Sequence, residues 1–90
     1  VGVNISEIDH IEFNEAFAAQ VLASNKIFEM PMERVNPLGG AIALGHPLGC
    51  TGTRQVATLA YALQRTGGRY GLVTMCAALG MGAAGLFERV

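Results

Sequence analysis

Three side chains stand where chemistry could use them: His46, Cys76 and Asn14. His46 lies between Gly45 and Pro47, inside a run from Asn36 to Gly52 that also holds Gly39, Gly40, Gly49 and Pro37. Those glycines permit positive φ or close backbone approach, and the prolines fix φ and remove two donors, so the run excludes ordinary helix or strand. An imidazole set in such a loop can be held in one tautomer by its neighbours and act as a general base near neutral pH. The plain alternative is a turn histidine meeting local hydrogen bonds, and the flanking glycines favour the functional reading. Cys76 ends an apolar run just before Gly80-Met-Gly82. Such a thiol becomes reactive when a histidine or helix terminus stabilises its thiolate, and is otherwise a small buried hydrophobe. Asn14 can cap a helix or aim its amide into a site. Cys50, between Gly49 and Thr51, fills a small-residue position, and His10 reads as structural or exposed. His10, Glu12, His46, Cys50 and Cys76 show no metal-ligand spacing, so no metal site is expected.

The elements that must position these groups alternate in type. Ile8 to Phe13 alternates as a short strand. Asn14 to Asn25 reads as a helix with Asn14 as N-cap, Glu15 in the first turn and Phe17, Val21 and Leu22 on one stripe. Lys26 to Val35 reads as a connecting loop. Thr53 to Arg65 returns to helix, with Val56, Leu59, Ala60 and Leu63 at i, i+3, i+4 and i+7, closed by Gly67-Gly68. Tyr70 to Leu79 is a nearly continuous apolar run, the pattern of a strand buried on both faces. After a turn at Gly80 to Gly82, Ala83 to Val90 reads as the return arm of a β-hairpin. The fold class expected is therefore α/β, in layers.

With 51% hydrophobic and 14% charged residues among 90, the chain is very apolar for its size. That composition predicts a fragment whose apolar area packs on further chain or on another subunit. A net charge of −1 gives no electrostatic case for nucleic acid or an anionic membrane. No apolar run approaches the roughly 20 residues of a membrane span, and no signal-peptide pattern opens the chain. Two cysteines without C-x-x-C spacing suggest reduced thiols and a soluble intracellular protein. Gly80 to Gly85 matches G-x-G-x-x-G, but the dinucleotide motif works by opening a helix and only five residues follow.

Three blocks, in this order, resemble the thiolase family: Asn14-Glu-Ala-Phe17, then Gly39-Gly-Ala-Ile-Ala-Leu-Gly-His-Pro47, then Cys76 followed by Gly80-Met-Gly82. The likeness covers essentially all of residues 1–90, and the middle block looks most like 3-ketoacyl-CoA thiolases of the peroxisomal type. It implies part of the C-terminal half of a thiolase-like layered α/β fold, ending in a β-hairpin, with the N-terminal half and its nucleophilic cysteine outside this sequence.

By that resemblance the activity is acyl transfer in fatty-acid β-oxidation: thiolysis of 3-ketoacyl-CoA, or the reverse Claisen condensation. His46 would activate the nucleophilic cysteine and help form an oxyanion hole, with Gly45 beside it as a substrate-binding position. Asn14 would hold the water that is that hole's second donor. Cys76 would shuttle the proton at the α-carbon, and Phe17 would line the acyl and pantetheine end of the pocket. The family usually has glycine two residues after this cysteine, where a backbone N–H serves a second hole; here it is Ala78. Coenzyme A enters as substrate, with no cofactor, and a homo-oligomer is expected; bacterial cytoplasm, peroxisome and mitochondrion are not told apart. Two other readings compete: a non-catalytic remnant that binds acyl-CoA or a partner subunit, and a nucleotide-binding fragment that requires a helix after Gly82.

Overall fold

A computed structural model describes residues 1–90. Three strands form one sheet in the order β1 (His10–Phe13), β2 (Tyr70–Cys76), β3 (Gly82–Glu88). β1 and β2 run parallel, from His10 opposite Gly71 to Phe13 opposite Thr74. β2 and β3 are antiparallel, from Tyr70 opposite Glu88 to Cys76 opposite Gly82. The expected hairpin is therefore present, and a strand occupies Gly82 to Glu88 where a nucleotide-binding loop would need a helix.

Three helices accompany the sheet: α1 (Ala18–Phe28), the single-turn α2 (Ala41–Leu44) and α3 (Thr51–Thr66). α3 covers β1 and β2 on one face, where Leu59, Leu63 and Val73 make a small core. Leu59 seats directly on β2 at Gly71, and a Cβ there would overlap the Leu59 side chain. Strand residues alternate between faces, so Gly71, Val73 and Met75 look toward α3 while Leu72, Thr74 and Cys76 look away. On that far face Ile8, Ile11, Met30 and Val35 form a second cluster, joined by Leu72 and Leu86.

Several expectations shift. α1 starts four residues after Asn14, with Phe17 at the N-cap position and Glu15 ahead of the first turn. Asn14 instead continues the strand edge, its backbone N–H donating to the Thr74 carbonyl at 2.9 Å. α1 also runs on to Phe28, into the expected loop, and of its stripe only Val21 is buried while Phe17 and Leu22 stand exposed. The glycine run, expected to hold no helix, contains α2, whose Ala41 to Leu44 segment is its longest stretch free of glycine and proline. On α3, Val56 and Ala60 are exposed; the buried stripe is Thr51, Gln55, Leu59, Ala62 and Leu63. β2 is fully buried only at Gly71 and Val73, and Cys76 is exposed.

The chain leaves 5759 Å² accessible, against about 5,000 Å² for a monomer of this mass. Phe17, Ile27, Leu48 and Tyr61 are among the exposed apolar side chains.

At the start of β2, Asp9 Oδ2 accepts the backbone N–H groups of Arg69 at 2.7 Å and Tyr70 at 3.0 Å. The Tyr70 bond first, then the Arg69 bond, hold its carboxyl below the ordinary value of 3.8. A lowered folded-state value stabilises the fold above the unfolded value and loses that contribution as pH falls through the folded one. Asp9→Asn is therefore expected to lower the melting temperature above about pH 5, with the gap to the parent chain closing below about pH 4, as read by circular dichroism melts. Gly71→Ala is expected to cost about 1–3 kcal/mol. Combined with Leu59→Ala in urea titrations it should cost less than the two singles together, because the second change empties the space the new methyl needs.

Candidate active site

The glycine run is tied to the sheet at its first residue. Asn36 lies in the left-handed region at φ 46, and its side chain brackets Phe13: Oδ1 accepts the Phe13 N–H at 2.8 Å and Nδ2 donates to the Phe13 carbonyl at 2.7 Å. Its own N–H donates to the Ile11 carbonyl at 2.8 Å. A side-chain amide thus substitutes for a strand backbone at the carboxyl end of β1, one residue before Asn14. α2 follows and is stopped at Gly45, whose φ 92 and ψ 166 lie where a Cβ is not tolerated.

His46 emerges from that stop and is tied to the start of α3. Its Nδ1 lies 2.7 Å from Oγ1 of Thr51, and Thr51 Oγ1 donates to the Pro47 carbonyl at 2.9 Å. The Thr51 side chain is buried, at 1% exposure, while the imidazole is exposed. α3 runs antiparallel to β1 and β2, with Gln55 on Glu12 and Leu59 on Gly71. Its N-terminal turn therefore lies at the carboxyl ends of both strands, where Gly52 meets the Met75 methyl. His46, Asn14 and Cys76 are brought to this one edge.

They are not joined there: no hydrogen bond links Cys76 to His46. By strand alternation Cys76 sits on the pleat opposite Met75, whereas Asn14 follows His10 and Glu12 on the α3 side. Four clefts in the surface are lined by none of His46, Cys76 and Asn14. Phe17 stands 73% exposed at the start of α1. Ala78 lies in a short 3₁₀ turn, Ala78–Gly80, that links β2 to β3. There the Ala77 N–H donates to the Met81 carbonyl, whereas the Ala78 N–H has no acceptor. The positive-φ residues of this turn are the next two, Leu79 at φ 61 and 96% exposed, and Gly80 at φ 74.

Beneath the edge runs a buried polar seam that sequence reasoning missed. Glu12 has no exposed surface; its carboxylate accepts from His10 Nε2 at 2.7 Å and lies 3.8 Å from Arg54 Nη1. Gln55 Nε2 donates to the Glu12 carbonyl at 3.3 Å. His10, placed in the sequence as structural or exposed, is buried at 4%. Asn14, at 1% exposure, has both amide atoms unpartnered. A buried amide without partners is costly, and its polar atoms mark a place for water or a ligand group. The i, i+2 spacing of His10, Glu12 and Asn14 was the available signal, since it puts three polar groups on one strand face.

The family model for the thiolase C-terminal domain matches residues 1–89. The chain is similar to 3-ketoacyl-CoA thiolase B, peroxisomal, of Rattus norvegicus, 59% identical over 88 residues that cover 97% of this chain and 21% of that protein. It is 57% identical over 88 residues to 3-ketoacyl-CoA thiolase, peroxisomal, of Homo sapiens, covering 97% of this chain and 21% of the relative. A bacterial 3-ketoacyl-CoA thiolase, of Aliivibrio salmonicida, is 52% identical over 91 residues, covering 98% and 24%. The chain spans about a fifth of the length of the curated relatives it matches.

The strained turn beside Cys76 gives a direct test. A left-handed non-glycine residue costs about 1–2 kcal/mol, and Leu79 is too exposed to recover this by packing. Leu79→Gly is expected to leave stability unchanged or raise it by up to about 1 kcal/mol, the strain relieved being offset by glycine's entropy. Gly45→Ala is expected to lower stability by about 1–3 kcal/mol. Both are read from denaturant midpoints.

Proposed function

Since the chain belongs to the thiolase family, as its C-terminal domain, we propose that it supplies the acid/base residues of an acyltransferase acting on 3-ketoacyl-CoA. The reaction is thiolysis by coenzyme A to acyl-CoA and acetyl-CoA, or the reverse condensation. The observation that supports this reading is that a histidine, a buried unpartnered asparagine and a cysteine all lie at the carboxyl ends of β1 and β2, with Cys76 on the pleat opposite Asn14.

In this mechanism His46 takes the proton of a nucleophilic cysteine contributed by the remainder of the subunit. The thiolate attacks the 3-keto carbon, the C2–C3 bond breaks, and the electron pair passes to the enolate of acetyl-CoA. The Cys76 thiol protonates that enolate at its α-carbon. A coenzyme A thiol then returns a proton to the Cys76 thiolate and attacks the acyl-enzyme, and the departing cysteine regains its proton from His46. Atoms and charge balance over the cycle.

The developing enolate oxygen is held by His46 and by a water on Asn14, whose free amide atoms suit that task. The unengaged Ala78 N–H is a donor for the oxyanion of the acyl-enzyme step. Gly45 lets the backbone approach the thioester, and exposed Phe17 belongs to the acyl and pantetheine end of the pocket. Coenzyme A is a substrate and no separate cofactor is invoked. The exposed apolar surface is covered by the remainder of the subunit and by a second copy in a homo-oligomer working inside the cell. No helix is long and apolar enough to cross a membrane.

With the chain joined to a cysteine-bearing first half, loss of 3-ketoacyl-CoA absorbance on adding coenzyme A measures turnover. His46→Ala and Cys76→Ala are each expected to lower kcat about 10²–10⁴-fold, and Asn14→Ala about 10²–10³-fold. Undiminished turnover in either of the first two would overturn the assignment.

A further inference from the structure

We infer that Thr51 is a positioning residue that fixes the tautomer of His46, leaving Nε2 bare as the base; this rests on the acid/base role proposed for His46. Thr51 Oγ1 has two polar neighbours, His46 Nδ1 at 2.7 Å and the Pro47 carbonyl oxygen at 2.9 Å. At 1% exposure the hydroxyl has essentially no solvent to turn to. It carries one proton and can accept at its lone pairs.

Were that proton directed to Nδ1, two oxygens would face each other at 2.9 Å with no hydrogen between them, an electrostatic repulsion inside a buried turn. With the proton on the Pro47 carbonyl, Oγ1 presents a lone pair to the ring, so Nδ1 must be the donor. A neutral imidazole that is protonated at Nδ1 is unprotonated at Nε2. Thr51 is also the first residue of α3, and its backbone N–H donates to the same carbonyl at 3.0 Å. The hydroxyl that orients the ring is therefore fixed by a helix whose next turns are clamped to the sheet by Gln55 and Leu59. The imidazole is held from behind, with its basic nitrogen directed away from the helix.

The test is a long-range ¹H–¹⁵N correlation spectrum of the chain at about pH 8, where an ordinary imidazole is neutral. The expected spectrum shows His46 with a protonated Nδ1 and a bare Nε2. Thr51→Val, which keeps the shape and removes the acceptor, is expected to give mixed tautomers, and Thr51→Ser to restore the parent pattern. In the joined enzyme Thr51→Val should lower kcat about 10–100-fold, the range seen when the partner orienting an imidazole is lost, with KM held and Thr51→Ser rescuing. A parent spectrum with the proton on Nε2 overturns the inference whether or not Thr51→Val folds, as does a Thr51→Val spectrum with an unchanged tautomer. Because the spectrum needs no turnover, it stands apart from the acyltransferase reading, which fails separately if His46→Ala retains activity.

Discussion

The contact on which the arrangement depends is Leu59 seated on the bare backbone of Gly71. It lets a sixteen-residue helix lie close against the two parallel strands, antiparallel to both. Once that helix is laid down, its N-terminal turn must fall at the carboxyl ends of β1 and β2, because Gln55 reaches Glu12 one turn before Leu59 reaches Gly71. His46 is five residues ahead of that turn's first residue and can only be delivered to the same edge. A side chain on Gly71 would lift the helix and move the imidazole with it, so a residue about as chemically inert as the sequence offers controls where its most reactive one stands.

That dependence explains what the sequence could and could not show. The period of Leu59 and Leu63 and the apolar run after Tyr70 were legible because helix and strand periodicity are local properties. The start of α1 was not. Asn14 has the chemistry of an N-cap, but its backbone N–H is taken by Thr74, sixty residues away, and this tertiary bond draws it into the strand. α2 was hidden for a different reason: a four-residue helix is invisible to periodicity and is here held by Asn36 at one end and Gly45 at the other. The three-block pattern singled out His46, Asn14 and Cys76 as candidates, whereas Thr51, Asn36 and Glu12 depend on partners that only folding supplies.

The buried seam under the edge is not explained by stability. A charged pair taken out of water gains little net free energy, and the 3.8 Å separation of Arg54 and Glu12 is too long for a strong bond. What the seam provides is direction. His10 and Glu12 bond within β1, and Gln55 Nε2 reaches the Glu12 carbonyl from α3, so sliding α3 along β1 would break that buried bond, whereas apolar packing alone tolerates sliding.

The turn after Cys76 resolves the question raised by an alanine where the resemblance leads one to expect glycine. A glycine could be required there for its backbone angles or for lack of a Cβ. The angles do not require it, since Ala78 does not adopt positive φ and the positive-φ positions fall on Leu79 and Gly80. The Ala78 N–H has no acceptor within the chain, so it stays free to donate beside the methyl group. What the methyl changes is the volume beside that N–H. Ala78 therefore adds a methyl group beside a free N–H without altering the backbone angles of the turn.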